Sequence, residues 1–165
     1  MRRLLLSLLL APCVALAQGP TVRPAAPQPG WDLPVDQFFA SFAAADARNG
    51  NRAGLLDTGC AGTAWLVCDL DLRSVPVKVR AALPDRRITE VELALGGRAS
   101  RANAAAAVHT LARWAEPGAA DDDRRRAVGA LLEASGSRAE ATLGRTRLTA
   151  TEGFSGWRVV AAPIR

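Results

Sequence analysis

Residues 60–97, CAGTAWLVCDLDLRSVPVKVRAALPDRRITEVELALGG, alternate apolar and polar side chains through three successive runs. In AWLVCDLDL, Leu66, Cys68, Leu70 and Leu72 point one way while Asp69, Asp71 and Arg73 point the other. Val75, Val77, Val79, Ala81 and Leu83 repeat the pattern against Lys78 and Arg80, and Val91, Leu93 and Leu95 repeat it against Glu90 and Glu92. A period of two sustained this long marks strands with one buried and one wet face. Turn chemistry near Ser74 and at Pro84-Asp85 separates the runs, so the stretch reads as an antiparallel three-strand meander. Pro76 cannot donate to a ladder, which makes the second strand an edge at its start.

Toward the N-terminus, residues 50–63 are rich in Gly, Asn, Asp and Thr and read as a loop, with a short strand near Leu55–Asp57. Before them Val35, Phe38, Phe39 and Phe42 fall on one helical stripe. Asp32 is placed to cap that helix, Pro34 suits its first turn, and Asn49-Gly50 stops it. Toward the C-terminus, Gly96-Gly97 ends the sheet segment and Ser100 is placed as an N-cap. Ala104, Val108, Leu111 and Ala115 then repeat at helical spacing until Pro117-Gly118. Asp121, Asp122 and Asp123 open a second helix, where their charge complements the helix dipole and pairs with Arg124–Arg126. Val128, Leu131 and Leu132 form its apolar stripe. The tail reads as a hairpin with strands near Glu140–Thr151 and Gly156–Ala162. A phase change at Gly144 within the first strand suggests a bulge there.

These elements compose an α+β fold: one domain over residues 35–165, with an N-terminal helix and a helix pair inserted between a three-strand meander and a C-terminal hairpin. The antiparallel sheet has about five strands. The element order resembles that of the small peptide-binding chaperones of bacterial type III secretion, which are cytosolic and lack signal peptides. The resemblance is one of topology and carries no residue assignment.

The chain of 165 residues opens MRRLLLSLLLAPCVALAQ, with Arg2 and Arg3 before an apolar run and a small-x-small site at Ala15–Ala17. That is the layout of a secretory signal peptide over residues 1–17, cleaved between Ala17 and Gln18. The flanks of the arginine pair do not suit a twin-arginine signal, and Pro12 does not suit lipidation of Cys13. The apolar run is too short to span a bilayer, so the expected product is not membrane-spanning and is periplasmic or secreted. Residues 18–34 contain five prolines and two glycines and read as a disordered leader. Removing 17 residues leaves 148, with 19 basic against 16 acidic side chains and a net charge of +3. Lys78 is the only lysine. So small a charge without an aromatic-studded basic stripe argues against a nucleic-acid partner.

Cys60 and Cys68, eight positions apart, are the cysteines that remain. In an oxidising compartment they read as a structural disulfide, since neither CxxC spacing nor an activated thiolate is in evidence. His109 is the only histidine and reads as an exposed polar residue. GFSG at Gly153–Gly156 sits in a turn, not on a strand-to-helix nucleophile elbow. Asp69, Asp71, Glu90 and Glu92 share a wet sheet face with Lys78 and Arg80, where cross-strand pairing explains them. No catalytic residue, metal ligand or cofactor site is assigned. Trp65 and Val67 fall on that same outer face among charges, which is either covered by the leader or the loop before it, the commoner case, or is a surface for a protein or envelope partner. The expected function is that of a non-enzymatic interaction module, the alternative being a hydrolase-like enzyme with a dispersed site.

Overall fold

The computed structural model describes residues 31–51, 54–96, 99–133, 137–153 and 156–164. The proposed signal peptide, its cleavage site at Ala17-Gln18 and residues 18–30 of the leader lie outside the described residues. A 3-10 turn over Val35–Gln37 leads into α1 (Phe38–Arg48). Four strands follow, β1 (Leu55–Ala61), β2 (Trp65–Leu72), β3 (Val75–Ala82) and β4 (Arg87–Leu95). Then come α2 (Arg101–Ala115), α3 (Asp121–Leu132), β5 (Arg138–Leu143), β6 (Thr146–Gly153) and β7 (Gly156–Pro163). The strands form one antiparallel sheet of seven in the order β1-β2-β3-β4-β7-β6-β5. It consists of a four-strand and a three-strand meander joined edge to edge through β4 and β7.

The α+β class and the single domain hold, but the sheet has seven strands instead of about five, for two physical reasons. Residues 55–61, read above mostly as a loop, are β1. A register shift between Asp57 and Gly59 sets Thr58 out of step, so Leu55 and Cys60, of opposite parity, face the same side of the sheet. The Thr58 hydroxyl donates to the Asp69 carbonyl (2.5 Å) and the Gly59 N–H to the Asp57 carboxylate (2.8 Å), which satisfies the irregular backbone. The phase change at Gly144 is a two-residue hairpin turn and not a bulge. Leu143 pairs with Thr146, and Gly144 has φ +57°, a left-handed conformation in which glycine carries no penalty. The Arg73-Ser74 turn is equally tight, with φ of 52° and 69°. The β3–β4 ladder begins only at Val77, so Pro76 has no β4 partner to disappoint.

The helices cover one face. The core joins Leu70, Leu72, Val75, Val77, Val79, Val91, Leu93, Leu148 and Val159 to Val108, Leu111, Val128 and Leu131. Ser100 caps α2 by accepting from the Asn103 N–H (3.1 Å). Trp114 is the centre of an aromatic cluster, 5.1 Å from Phe38 and 5.2 Å from Trp31 between ring centroids, both edge-on, with its indole N–H donating to Ser41 Oγ (2.9 Å). Residues 31–34, placed above at the end of the leader, are tied to the domain. Trp31 Nε1 donates to Thr146 Oγ1 (2.6 Å), Leu33 is buried, and Leu33 O accepts from Ile88 N. Asp32 does not cap α1 and instead pairs with Arg87.

One ion pair lies inside this layer. Asp46 of α1 is fully buried and accepts from Arg73 (2.6 and 3.0 Å), Thr110 Oγ1 (2.7 Å) and Asn51 Nδ2 (3.2 Å). Burial alone raises its pKa, but the hydrogen bonds from Arg73 and Thr110, the Arg73 charge and the Asn51 bond outweigh it, and the net shift is downward. The pair ties α1, the β2–β3 turn and α2 together.

Candidate functional site

The outer face of the sheet carries no helix among the described residues. Its acidic side chains are engaged locally. Asp69 faces Lys78 across β2–β3 (3.7 Å), Glu90 faces Arg80 across β3–β4 (3.5 Å), and Glu92 reaches Arg158 on β7 (3.0 Å). The Asp71 carboxylate accepts the Ser74 N–H (2.7 Å) and closes the turn. The four carboxylates thus serve cross-strand pairing and a turn, and none of the four converges with His109. Trp65 stands 51% exposed at one end of this face, and Val67 beside it is half-buried. Together with Lys78, Arg80, Thr89 and Glu90 they line a shallow groove of about 500 Å³.

Beside that groove lies β1, the edge strand. Every residue from Leu56 to Ala61 is exposed. Cys60 is disulfide-bonded to Cys68, its direct partner in the ladder, with the two Cα atoms 4.0 Å apart. So close a spacing belongs to a non-hydrogen-bonded pair, which turns the backbone N–H and C=O of Cys60 away from β2 toward the open edge. Cys68 is buried in the core and Cys60 is not, so the bond staples the edge strand to the core strand. Gly62, at φ +135°, lies so close to the Trp65 carbonyl that no side chain fits, which permits the tight β1–β2 connection.

The helical side holds a second, deeper hollow. The first half of α2 is nearly all alanine, and Gly129 faces it from α3, so the helices leave a cleft of about 730 Å³. Its floor is apolar, with Leu95, Ala150, Trp157 and Val159 from β4, β6 and β7, while Arg101, Arg125 and His109 stand on its rim and Glu133 at one end. A smaller hollow of about 310 Å³ adjoins it through His109 and Arg125 and is lined also by Arg48, Arg113, Arg124 and Asp121. Asp121 accepts from both Arg113 and Arg124 (2.7 Å each). Arg124 is buried against the Glu116 carbonyl (3.0 Å), and its Nε has no hydrogen-bond partner among the described residues.

His109 is half-buried, not exposed as its helical phase suggested, because the cleft walls flank it. Burial and then the charges of Arg113 and Arg125 push its pKa below the usual histidine value, which favours the neutral ring. Asp122–Arg125 and Asp123–Arg126 form the i,i+3 pairs expected of the DDDRRR run. Among the described residues, no group of three or more His, Cys, Asp or Glu side chains is placed to hold a metal, and no helix is long and apolar enough to cross a membrane.

The sequence reading missed the cleft. The available signal was the pairing of an alanine-rich stretch of α2 with a glycine at mid-helix in α3, side chains too small to fill the space between two helices. No family model matches the chain, and neither a curated protein nor a solved structure is significantly similar to it. The likeness of element order to type III secretion chaperones therefore has no matching structure behind it and is carried no further.

Proposed function

We propose that this chain is an exported, non-enzymatic binding module that takes an extended polypeptide by strand addition along the free edge of β1. The observation that carries the reading is that edge. Natural sheets blunt their edges with lysine, proline, bulges, inward-pointing charges or covering elements. β1 has no lysine or proline along Leu55–Ala61 and no further strand pairs with it among the described residues, so its protection is limited to the irregularity at Thr58 and the inward Asp57. The opposite edge, β5, carries Arg138 and Glu140 and is backed by α3. The disulfide holds β1 in register while its outward backbone groups stay open, and a strand added there gains main-chain hydrogen bonds. Gly59 and Ala61, small on the outer face, leave Val67 and Trp65 within reach of the alternate side chains of an incoming strand. Export rests on the N-terminal sequence, with which a disulfide accords.

Panning a random dodecapeptide library against the oxidised protein tests the reading. Binders are expected to be apolar and β-branched, to slow amide exchange across Leu55–Ala61, and to weaken severalfold in Trp65→Ala. Binders that protect only other strands, or no binders at all, overturn it. Mass spectrometry of the exported chain tests the compartment and should find an N-terminus at Gln18.

A further inference from the structure

We infer that the cleft between α2 and α3 is a binding site for an amphipathic anion, a single aliphatic chain bearing a carboxylate or phosphate head. The site is independent of the β1 edge and lies on the opposite side of the sheet. Its volume, about 730 Å³, falls in the range of small-molecule sites. Its interior is apolar: Trp157, Val159 and Leu95 form a floor that water solvates poorly, and an aliphatic chain laid there removes apolar surface from water on both sides. The rim is cationic on balance, with Glu133 at one end set against Arg101 and Arg125. Arg101 and Arg125 stand at the mouth, and through Arg125 and His109 the cleft opens onto the hollow lined by four arginines and Asp121, where the buried Arg124 has an Nε with no hydrogen-bond partner among the described residues. An anionic head at the junction meets guanidinium groups from two helices, whereas a cationic head meets repulsion. Asp122 pairs with Arg125 on the exposed side, a contact that surface screening keeps weak, so Arg125 is free to turn to a ligand.

The imidazole of His109 lies at this junction, and as the only histidine it gives ring signals without ambiguity. Titrating the oxidised protein with dodecanoate below its micellar concentration is expected to shift those signals saturably at one ligand per chain. Dodecyl phosphate should do the same, and the tighter of the two identifies the head. Dodecanol, with the same chain and no charge, should bind at least tenfold more weakly. Inorganic phosphate alone should leave the signals in place at equal concentration. Arg125→Glu should weaken dodecanoate at least tenfold. Gly129→Leu fills the cleft, because a side chain there meets only the Glu133 carboxylate, 4.0 Å from its Cβ, and leucine also favours the helix. That variant should keep its melting temperature and lose binding. The inference is overturned by an absence of saturable shifts with both chain-bearing anions, by dodecanol binding as tightly as dodecanoate, by inorganic phosphate matching dodecyl phosphate, or by unchanged affinity in both variants.

Discussion

Asp46 shows how one residue decides whether three elements stay together. It lies four positions after Phe42, on the same helix face as the aromatic stripe, and it is the charged member of an otherwise apolar surface. The β2–β3 turn answers it: φ values positive at both Arg73 and Ser74 swing Arg73 under α1, where its guanidinium meets the carboxylate in two hydrogen bonds. Removing one partner of a buried pair strands the other, so Asp46→Ala is expected to cost about 3–5 kcal/mol in denaturant melts. Asp46→Asn keeps the shape and removes the charge, which turns it into a probe of pH. The folded-state pKa lies below the unfolded value of about 3.9, so the unfolded chain takes up the proton first as pH falls. The stabilisation is complete above the unfolded pKa and is lost as pH drops through the lower folded value. The wild type should therefore lose stability below about pH 4 more steeply than Asp46→Asn, and parallel slopes would refute a titrating role for the carboxylate.

At the scale of elements, what was legible followed from periodicity. The strands β2, β3 and β4 and both later helices alternate or repeat cleanly, and their buried faces were read from Leu66, Val77, Val91, Val108 and Leu131 without knowledge of the fold. What was not legible was parity broken by backbone irregularity. In β1 an extra residue at Thr58 moves the inward face from odd to even positions, and at Gly144 a turn does the same between two strands. A one-residue change of phase looks alike in sequence whether a bulge or a two-residue turn causes it. The disulfide was legible as a pair but not as a cross-strand bond, since its register depends on β1. Closing a loop of eight residues, it is expected to contribute about 2.5 kcal/mol on the chain-entropy relation. Reduction should lower the unfolding free energy from denaturant melts by that amount with little change in secondary structure. Thiol labelling of the mature protein, which lacks Cys13, should proceed only after reduction; labelling of that protein untreated would refute the bond. Because β1 packs chiefly on β2, reduction should also raise amide exchange in β1 before any other strand.

At the scale of the molecule, two meanders meet at a single seam between β4 and β7, and the chain returns to brace that seam from the N-terminal end. Leu33 and Val35 exchange backbone hydrogen bonds with Arg86 and Ile88 at the start of β4, while Trp31 reaches across to Thr146 at the start of β6. Thr146 in turn donates to Glu116 (2.8 Å), whose carboxylate also accepts the Arg145 N–H (2.8 Å). One short segment therefore joins the first meander, the end of α2 and the β5–β6 turn. A domain drawn from helical periodicity begins at Val35, but the packing of Trp31 on Trp114 and the burial of Leu33 put the physical boundary earlier. Two versions of the mature chain decide between these boundaries, one beginning at Trp31 and one at Val35. The shorter chain loses a buried leucine, an edge-on aromatic pair and several hydrogen bonds, and is expected to be less stable by about 3–5 kcal/mol. For a domain of this size that corresponds to a fall in melting temperature on the order of 10 °C. Calorimetry that finds the two chains equally stable would show that the brace is decoration and that the seam between the meanders holds by itself.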